Sequence, residues 1–315
     1  MLVDPNRYAF HTRKRSKRNK LFLLFGALLV IGAIAVFLVV GLPRIRANRP
    51  VGGGEEMDIF AMWEAGLYHD ISVKCKEGLQ DHPMDGELLM FYGMAQYYRA
   101  YFEKALEDKL PLLDESIASL RKALLLPEMG YRPQIHYILG QAYYHKGPFY
   151  HDLAIRYIEK SLQEGYHGPN AHEYMAIAYG GLGMPEWELE SFLKAYETDQ
   201  SDFVLLSIGK AYLKLNEPEP AKDFLLRCLN KTADANIEKE CRFNLADIYA
   251  ENGEYLKAED QLEAIIRLDA GSAEAHFRLG ELYDSMNNIV KAVAEWKKTL
   301  AIDSTHYGAR RRLYR

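Results

Sequence analysis

Two hydrophobic patterns divide the chain. Between residues 21 and 42, from Leu21-Phe22-Leu23-Leu24-Phe25-Gly26 to Val39-Val40-Gly41-Leu42, the sequence is apolar and carries no charged side chain. From about residue 55 onward, apolar positions instead recur at i, i+3, i+4 and i+7, the spacing of one face of an α-helix. His136-x-x-Leu139-Gly140-x-x-Tyr143 returns as His172-x-x-Met175-Ala176-x-x-Tyr179, then as Leu205-x-x-Ile208-Gly209-x-x-Tyr212. Two further copies are Arg242-x-x-Leu245-Ala246-x-x-Tyr249 and His276-x-x-Leu279-Gly280-x-x-Tyr283. Their small residues stand 36, 33, 37 and 34 positions apart. Each copy leads into a turn and a second apolar stripe, such as Ala258, Leu262 and Ile265-Ile266 ending on Asp269, or Ala292, Trp296 and Thr299-Leu300 ending on Asp303. The turns hold Gly147-Pro148, Gly183-Met184-Pro185, Asn216-Glu217-Pro218, Asn252-Gly253 and Asn287-Asn288. Gly and Asn tolerate left-handed dihedrals and Pro stops a helix, so the pattern predicts helix–turn–helix pairs.

The small residue has a physical reason. Two antiparallel helices approach closely only where one side chain at their crossing is nearly absent, and the recurring tyrosine one turn later spans the gap. With these residues in place, the chain resembles the tetratricopeptide repeat family, whose helix–turn–helix unit is about 34 residues long. The resemblance covers residues 55–306, as repeats at about 55–85, 86–132, 133–168, 169–201, 202–238, 239–272 and 273–306, with 307–315 as a partial C-terminal cap. The second copy carries extra residues near Lys104–Leu112, and the first keeps Gly66-x-Tyr68, Cys75, Gly78-Leu79 and Pro83. The resemblance implies an all-α, right-handed solenoid of about seven repeats, in which each pair packs only on its neighbours and the stack curves around a concave face.

The apolar run changes the picture at the other end. As a helix, residues 21–42 would rise about 33 Å, enough to cross the roughly 30 Å hydrocarbon core of a membrane. The run is longer than a cleaved signal peptide needs, and Pro43-Arg44-Ile45-Arg46-Ala47 offers no small-x-small cleavage site. The expected organisation is therefore a basic cytoplasmic tail (1–20), a transmembrane helix (21–42), a linker (43–54) containing Gly52-Gly53-Gly54, and the repeat array. Arg7, Arg13, Lys14, Arg15, Lys17, Arg18 and Lys20 precede the run, and Arg44, Arg46 and Arg49 follow it. The positive-inside rule keeps such an N-terminus in the cytoplasm and sends the body across, into the periplasm if the membrane is a bacterial inner membrane. The body is acidic: residues 51–315 hold 29 Lys/Arg against 43 Asp/Glu, which speaks against nucleic acid as a partner.

By family geometry, the stripe one residue onward from the crossing stripe faces the concave groove. It reads Met90, Met94, Tyr97 and Tyr98 in the second repeat and Tyr137, Gln141, Tyr144 and His145 in the third. In the sixth it reads Phe243, Asp247 and Glu251, and in the seventh Phe277, Glu281 and Asp284. The N-terminal half thus looks aromatic and methionine-rich, the C-terminal half aromatic and acidic. This predicts a protein or peptide ligand with apolar anchors and with basic residues at one end. The Lys-and-Asn clamp of repeats that bind a chaperone's terminal carboxylates is missing here, with Lys210 isolated in the fifth repeat.

Catalytic chemistry is not expected, and neither is a cofactor. No Gly-rich phosphate loop or nucleophile elbow occurs, and His172-Glu173-Tyr174-Met175-Ala176 lacks the second histidine of a zinc-protease helix. His136, His172 and His276 share one repeat slot, where packing explains them, while His145 and His151 lie near one turn and invite a metal. Cys75, Cys228 and Cys241 form no CxxC; Cys228 and Cys241 are close enough in sequence for a disulfide across one helix connection. The resemblance and the anchor together imply a scaffold that assembles protein complexes at the membrane. A cytoplasm-facing scaffold is the alternative, and a metal-dependent hydrolase a third reading. Self-association stays open.

Overall fold

The computed structural model describes residues 58–314, so the tail, the apolar run 21–42 and the linker lie outside the described residues. Among the described residues, no helix is long and apolar enough to cross a membrane. The described residues form seven antiparallel helix pairs and a closing helix. They are α1 (Ile59–Glu64) with α2 (Tyr68–Asp81), α3 (Gly86–Phe102) with α4 (Leu106–Ala123), α5 (Arg132–Lys146) with α6 (His151–Gln163), and α7 (Ala171–Gly181) with α8 (Pro185–Thr198). Then follow α9 (Asp202–Lys214) with α10 (Pro218–Lys231), α11 (Ala235–Glu251) with α12 (Tyr255–Leu268), α13 (Ala273–Ser285) with α14 (Ile289–Ile302), and α15 (Tyr307–Leu313). The extra residues of the second repeat lengthen its helices instead of forming a loop: α3 has 17 residues and α4 has 18.

Local chemistry sets the helix ends. Turns within pairs reverse through left-handed residues: Gly183 (φ 73°), Asn216 (φ 60°), Gly253 (φ 74°) and Asn287 (φ 58°). Pro185 and Pro218 then open α8 and α10, where their fixed φ fits and no N–H is lost. Four of the first helices, α3, α9, α11 and α13, start on side-chain caps. Asp85 Oδ1 accepts from Leu88 N (2.9 Å), Asp234 Oδ1 from Asn236 N (2.8 Å), and Ser201 Oγ from Val204 N (3.3 Å).

Packing follows from the crossing residues. A Cβ on Gly140 would collide with Ile158 Cγ1 and stand 3.0 Å from the Ala154 carbonyl oxygen; one on Gly93 would stand 2.6 Å from Leu120 Cγ. At Ala176 and Ala246 the same slot holds one methyl group, fully buried or nearly so. Each second helix also packs on the first helix of the next pair, and successive first helices touch (α3 with α5, α5 with α7, α9 with α11), so the first helices line one face of the stack. The buried side chains form three successive clusters along it, the second and third sharing the half-buried rings of Tyr196, Tyr212 and Phe224.

The recurring tyrosines do more than fill a gap. Tyr143 stacks on Tyr157 (5.4 Å, 10°) and Tyr212 on Phe224 (5.8 Å, 26°), each inside its own pair. Tyr179 stacks on Trp187 of its own pair (5.9 Å, 26°) and also donates to Glu159 Oε1 of the preceding pair (3.0 Å); Tyr283 donates likewise to Glu259, and Tyr143 hydrogen-bonds Arg121 of the preceding pair. Burial, helped by Glu159, pushes the Tyr179 phenol up to about 12, so this donor stays protonated in ordinary buffers.

Two of the three histidines in the shared slot pair with a carboxylate, and the buried His172 Nδ1 has no partner among the described residues. His136 Nδ1 lies 2.7 Å from Glu164 Oε2 and His276 Nδ1 lies 2.6 Å from Glu295 Oε2. Cys228 and Cys241 are fully buried and free, with thiols in hydrogen-bonding contact and Cys228 Sγ 3.2 Å from the Asp202 carbonyl oxygen. The disulfide considered from their spacing is therefore not formed.

Gly140→Ala is expected to destabilise the protein by about 1–3 kcal/mol, because backbone lies beside the new methyl and cannot move away freely. Gly209→Ala, whose Cβ would be 3.4 Å from the nearest backbone atom, should cost less. Urea unfolding followed by circular dichroism checks the order; equal losses would mean that the α5–α6 crossing is not the tighter one.

Candidate functional site

The first helices of the N-terminal half enclose a cleft of about 220 Å³. Its wall carries Trp63, Tyr68, Tyr97, Tyr98, Tyr101, Phe102, Tyr137, Tyr166 and Tyr174, with Met94, Ile138, Gln134, Gln141, Pro169 and Asn170 between them, and no charged side chain. The rings hold one another. Tyr98 stacks on Tyr68 (4.9 Å, 14°) and meets Trp63 and Tyr97 edge-on at 5.4 and 5.2 Å, while Tyr137 meets Tyr166 at 5.5 Å. Hydrogen bonds fix the floor: the Tyr137 hydroxyl donates to the Pro169 carbonyl oxygen and accepts from Gln141 Nε2 at 2.9 Å. Burial drives the phenols of Tyr97 and Tyr137 well above their usual value, so the wall is uncharged at neutral pH. Tyr101 and Phe102 stand at the mouth, 51% and 68% exposed.

This places the stripe expected to face the groove. Met94, Tyr97, Tyr98, Tyr137 and Gln141 line the cleft together. Most of them are not free surface, however. Met90, Met94, Tyr97, Tyr137 and Gln141 are buried at 2–8% exposure, and Phe243 is buried too, because neighbouring first helices come close enough for rings of adjacent repeats to pack. Tyr144 and His145 lie just outside the lining. Tyr144 stacks on His151 (5.7 Å, 9°), and His145 meets Tyr144 and Tyr174 edge-on at 5.2 and 5.9 Å. The two histidines near one turn thus pack on rings, and among the described residues no group of three or more His, Cys, Asp or Glu is placed to hold a metal.

The C-terminal stripe is already occupied by the chain's own arginines. Arg278 lies over the Phe243 ring at 4.5 Å and pairs with Asp247 at 2.8 Å. Arg312 of α15 pairs with Glu281 and, at 3.4 Å, with Asp284. Phe277 packs on His306 (4.7 Å). Glu251 stays exposed. The acidic character read from the sequence is largely neutralised there, so the expectation that a ligand's basic residues meet this end loses its basis.

Several lining residues escaped the stripe reading. Trp63 and Tyr68 belong to the degenerate first repeat and Tyr166 to the α6–α7 connection. Glu173 follows His172 as Tyr137 follows His136, but it is not among the side chains that line the cleft, whereas its neighbour Tyr174 is.

Comparison with known proteins agrees with the fold. Residues 204–230 and 240–271 match the tetratricopeptide repeat family model. The C-terminal part of a TPR repeat-containing protein from Cytophaga hutchinsonii superposes with a TM-score of 0.62 at 16% identity, covering 81% of this chain and 98% of that one. A tetratricopeptide repeat protein from Parabacteroides merdae gives 0.52 at 18% identity, over 69% and 82%. At these identities the likeness shows the fold alone: an all-helical solenoid of tetratricopeptide type. The ancillary SecYEG translocon subunit of Buchnera aphidicola subsp. Acyrthosiphon pisum is 27% identical over 120 residues, 38% of this chain and 62% of the relative. The chain thus spans less than two thirds of that curated relative's length.

Burial, with Lys109 nearby, lowers the His145 imidazole to about 4 from the ordinary 6.5. The unfolded chain therefore takes up this proton first, and stability that is complete above about pH 6.5 is lost as pH falls towards about 4, by on the order of 3 kcal/mol. His145→Phe keeps a ring against the tyrosines and removes the titration. Urea midpoints at pH 7 and 4.5 should differ less in this variant than in the parent; an unchanged difference would assign the acid sensitivity to other groups.

Proposed function

We propose that this chain is a membrane-anchored, non-enzymatic scaffold that holds other polypeptides in the cleft of its first helices and assembles a protein complex at the membrane. One observation carries the reading: a tyrosine-walled, uncharged cleft opens on the face that repeat arrays of this type leave free, at the end of the array nearest the apolar run. Tyrosine and tryptophan offer large, rigid contact area at low entropy cost, which suits recognition and not bond-breaking. The translocon subunit of Buchnera supports a place beside a protein-conducting channel, where polypeptides arrive unfolded and extended. The array then lies outside the cytoplasm, on the periplasmic side of a bacterial inner membrane, with the basic tail inside.

Two measurements on the full chain test this. A photo-crosslinking amino acid at Tyr101 or Phe102 should capture translocon components or emerging polypeptides in intact membranes, whereas the same probe at Leu125, which is outside the cleft wall, should not. Equal capture from both positions would remove the cleft from the interaction. Alkaline phosphatase fused after Arg315 should be active, because it folds only where disulfides form; an inactive fusion would turn the array to the cytoplasm.

A further inference from the structure

Among the described residues, the most exposed large hydrophobic side chain is Phe149, at 96%. It sits between α5 and α6, in the single 3₁₀ turn Pro148–Tyr150 that follows Gly147 (φ 119°). That turn is held firmly. Tyr150 N donates to the Gly147 carbonyl oxygen (3.0 Å), and Pro148 fixes its own φ. The Lys146 ammonium lies 4.5 Å over the Tyr150 ring and pairs with Asp114 at 2.6 Å. A phenyl ring offered to water on a rigid turn gains nothing from the fold around it, and its hydration is unfavourable.

Phe149 shares an edge of the array with the mouth of the cleft. Tyr101 and Phe102 end α3, Phe149 follows the end of α5, and these two first helices touch and run in the same direction. The Tyr101 ring meets Phe102 edge-on at 5.5 Å and His145, four residues before Phe149, at 5.7 Å. Leu106, the first residue of α4, is exposed beside them, so apolar surface gathers around the opening. Other exposed apolar side chains lie elsewhere: Leu125 on the opposite edge, Val290 and Tyr307 at the far end. The cleft suits a phenyl ring in size and in charge. Its 220 Å³ exceeds the roughly 150 Å³ cavity that takes benzene and falls short of the roughly 300 Å³ at which small-molecule sites begin, so it is sized for one side chain. No charged side chain lines it, so a charged guest would lose water without finding a counter-charge. Phenyl brings no polar atom to leave unpaired, and it can stack on rings or meet them edge-on as the wall residues already do.

We propose that two copies of this chain pair reciprocally, each passing Phe149 between the helix ends at the mouth and into the ring-walled cleft of the other. A two-fold dimer needs anchor and receptor on one surface of the monomer, and this edge supplies both. Phe149 does not fill the cleft of its own chain, since it stays exposed there. The dimer is then the closed form of the receptor, and a polypeptide bound in the same cleft competes with it. That competition rests on the polypeptide reading above; the pairing does not.

The test uses the full chain, its oligomeric state read by sedimentation equilibrium in detergent and its contacts by photo-crosslinking in intact membranes. A dimer is expected, and Phe149→Asp should raise its dissociation constant at least tenfold, because a carboxylate would have to enter an uncharged site. The far-UV circular dichroism should not change, since so exposed a side chain supports little of the fold, and Phe149→Trp should keep the dimer. A benzophenone amino acid in place of Phe149 should give a dimer band whose crosslinked peptides from the second copy fall within 94–102, 134–141 or 166–174, the segments that line the cleft. A monomer at every concentration with no dimer band, a dimer that Phe149→Asp leaves unchanged, or crosslinks to other parts of the second copy would overturn the proposal. Crosslinks from position 149 to a different protein, with none to a second copy, would give this edge another occupant and overturn it as well. The polypeptide reading fails separately, on the crosslinks from Tyr101, and Phe149→Asp should leave that capture in place or increase it.

Discussion

The structure depends on how closely two helices can cross. Where α5 passes α6, a glycine faces Ile158 and the Ala154 carbonyl with no room for a methyl group, and the slot recurs as glycine or alanine in pair after pair. Close crossing fixes the angle within each pair and commits one stripe of the first helix to its partner. The next stripe is left to meet the neighbouring repeat, and the stack follows because no pair can bury its apolar faces alone. The cleft is a by-product of that arithmetic, formed where the neighbours' rings are large and do not fully close over one another.

The two halves of the first-helix face then differ in kind. Towards the C-terminus the stripe is satisfied from within: Arg278 and Arg312 reach back about one repeat length to cover rings and neutralise carboxylates. Exposed pairs of this sort contribute little stability, with a median below about 1 kcal/mol. Their effect is to remove charge that a ligand would otherwise meet. Towards the N-terminus no such arginine is supplied, and the rings enclose space. A surface that is self-satisfied at one end and unsatisfied at the other is directional, although the repeats that build it are alike.

Much of this was legible in the sequence. The 3.6-residue periodicity, the small residue at a fixed slot and the Gly or Asn at each turn lead to the pairs, because each is a local requirement of one helix or one reversal. The groove was half legible. Its stripe could be counted off from Leu139, Gly140 and Tyr143, but burial could not, since it depends on how nearly α3, α5 and α7 approach. Met90, Tyr97 and Tyr137 therefore read as surface and turn out to be packed. Asp247 read as a free acid because its arginine lies 31 residues away, a separation meaningful only once the repeats are stacked.

Contact restricted to adjacent pairs has a mechanical consequence. An array tied down at one end and pulled through a bound chain carries the load in series, so every joint bears the same tension and the softest yields first. The joints are not equal. Tyr143 through Arg121, Tyr179 through Glu159 and Tyr283 through Glu259 each fasten their pair to the preceding one, whereas Tyr212 spends its ring inside its own pair. Stretching would therefore open the stack joint by joint and not in one event, and the molecule would behave as a spring with graded stiffness along its length.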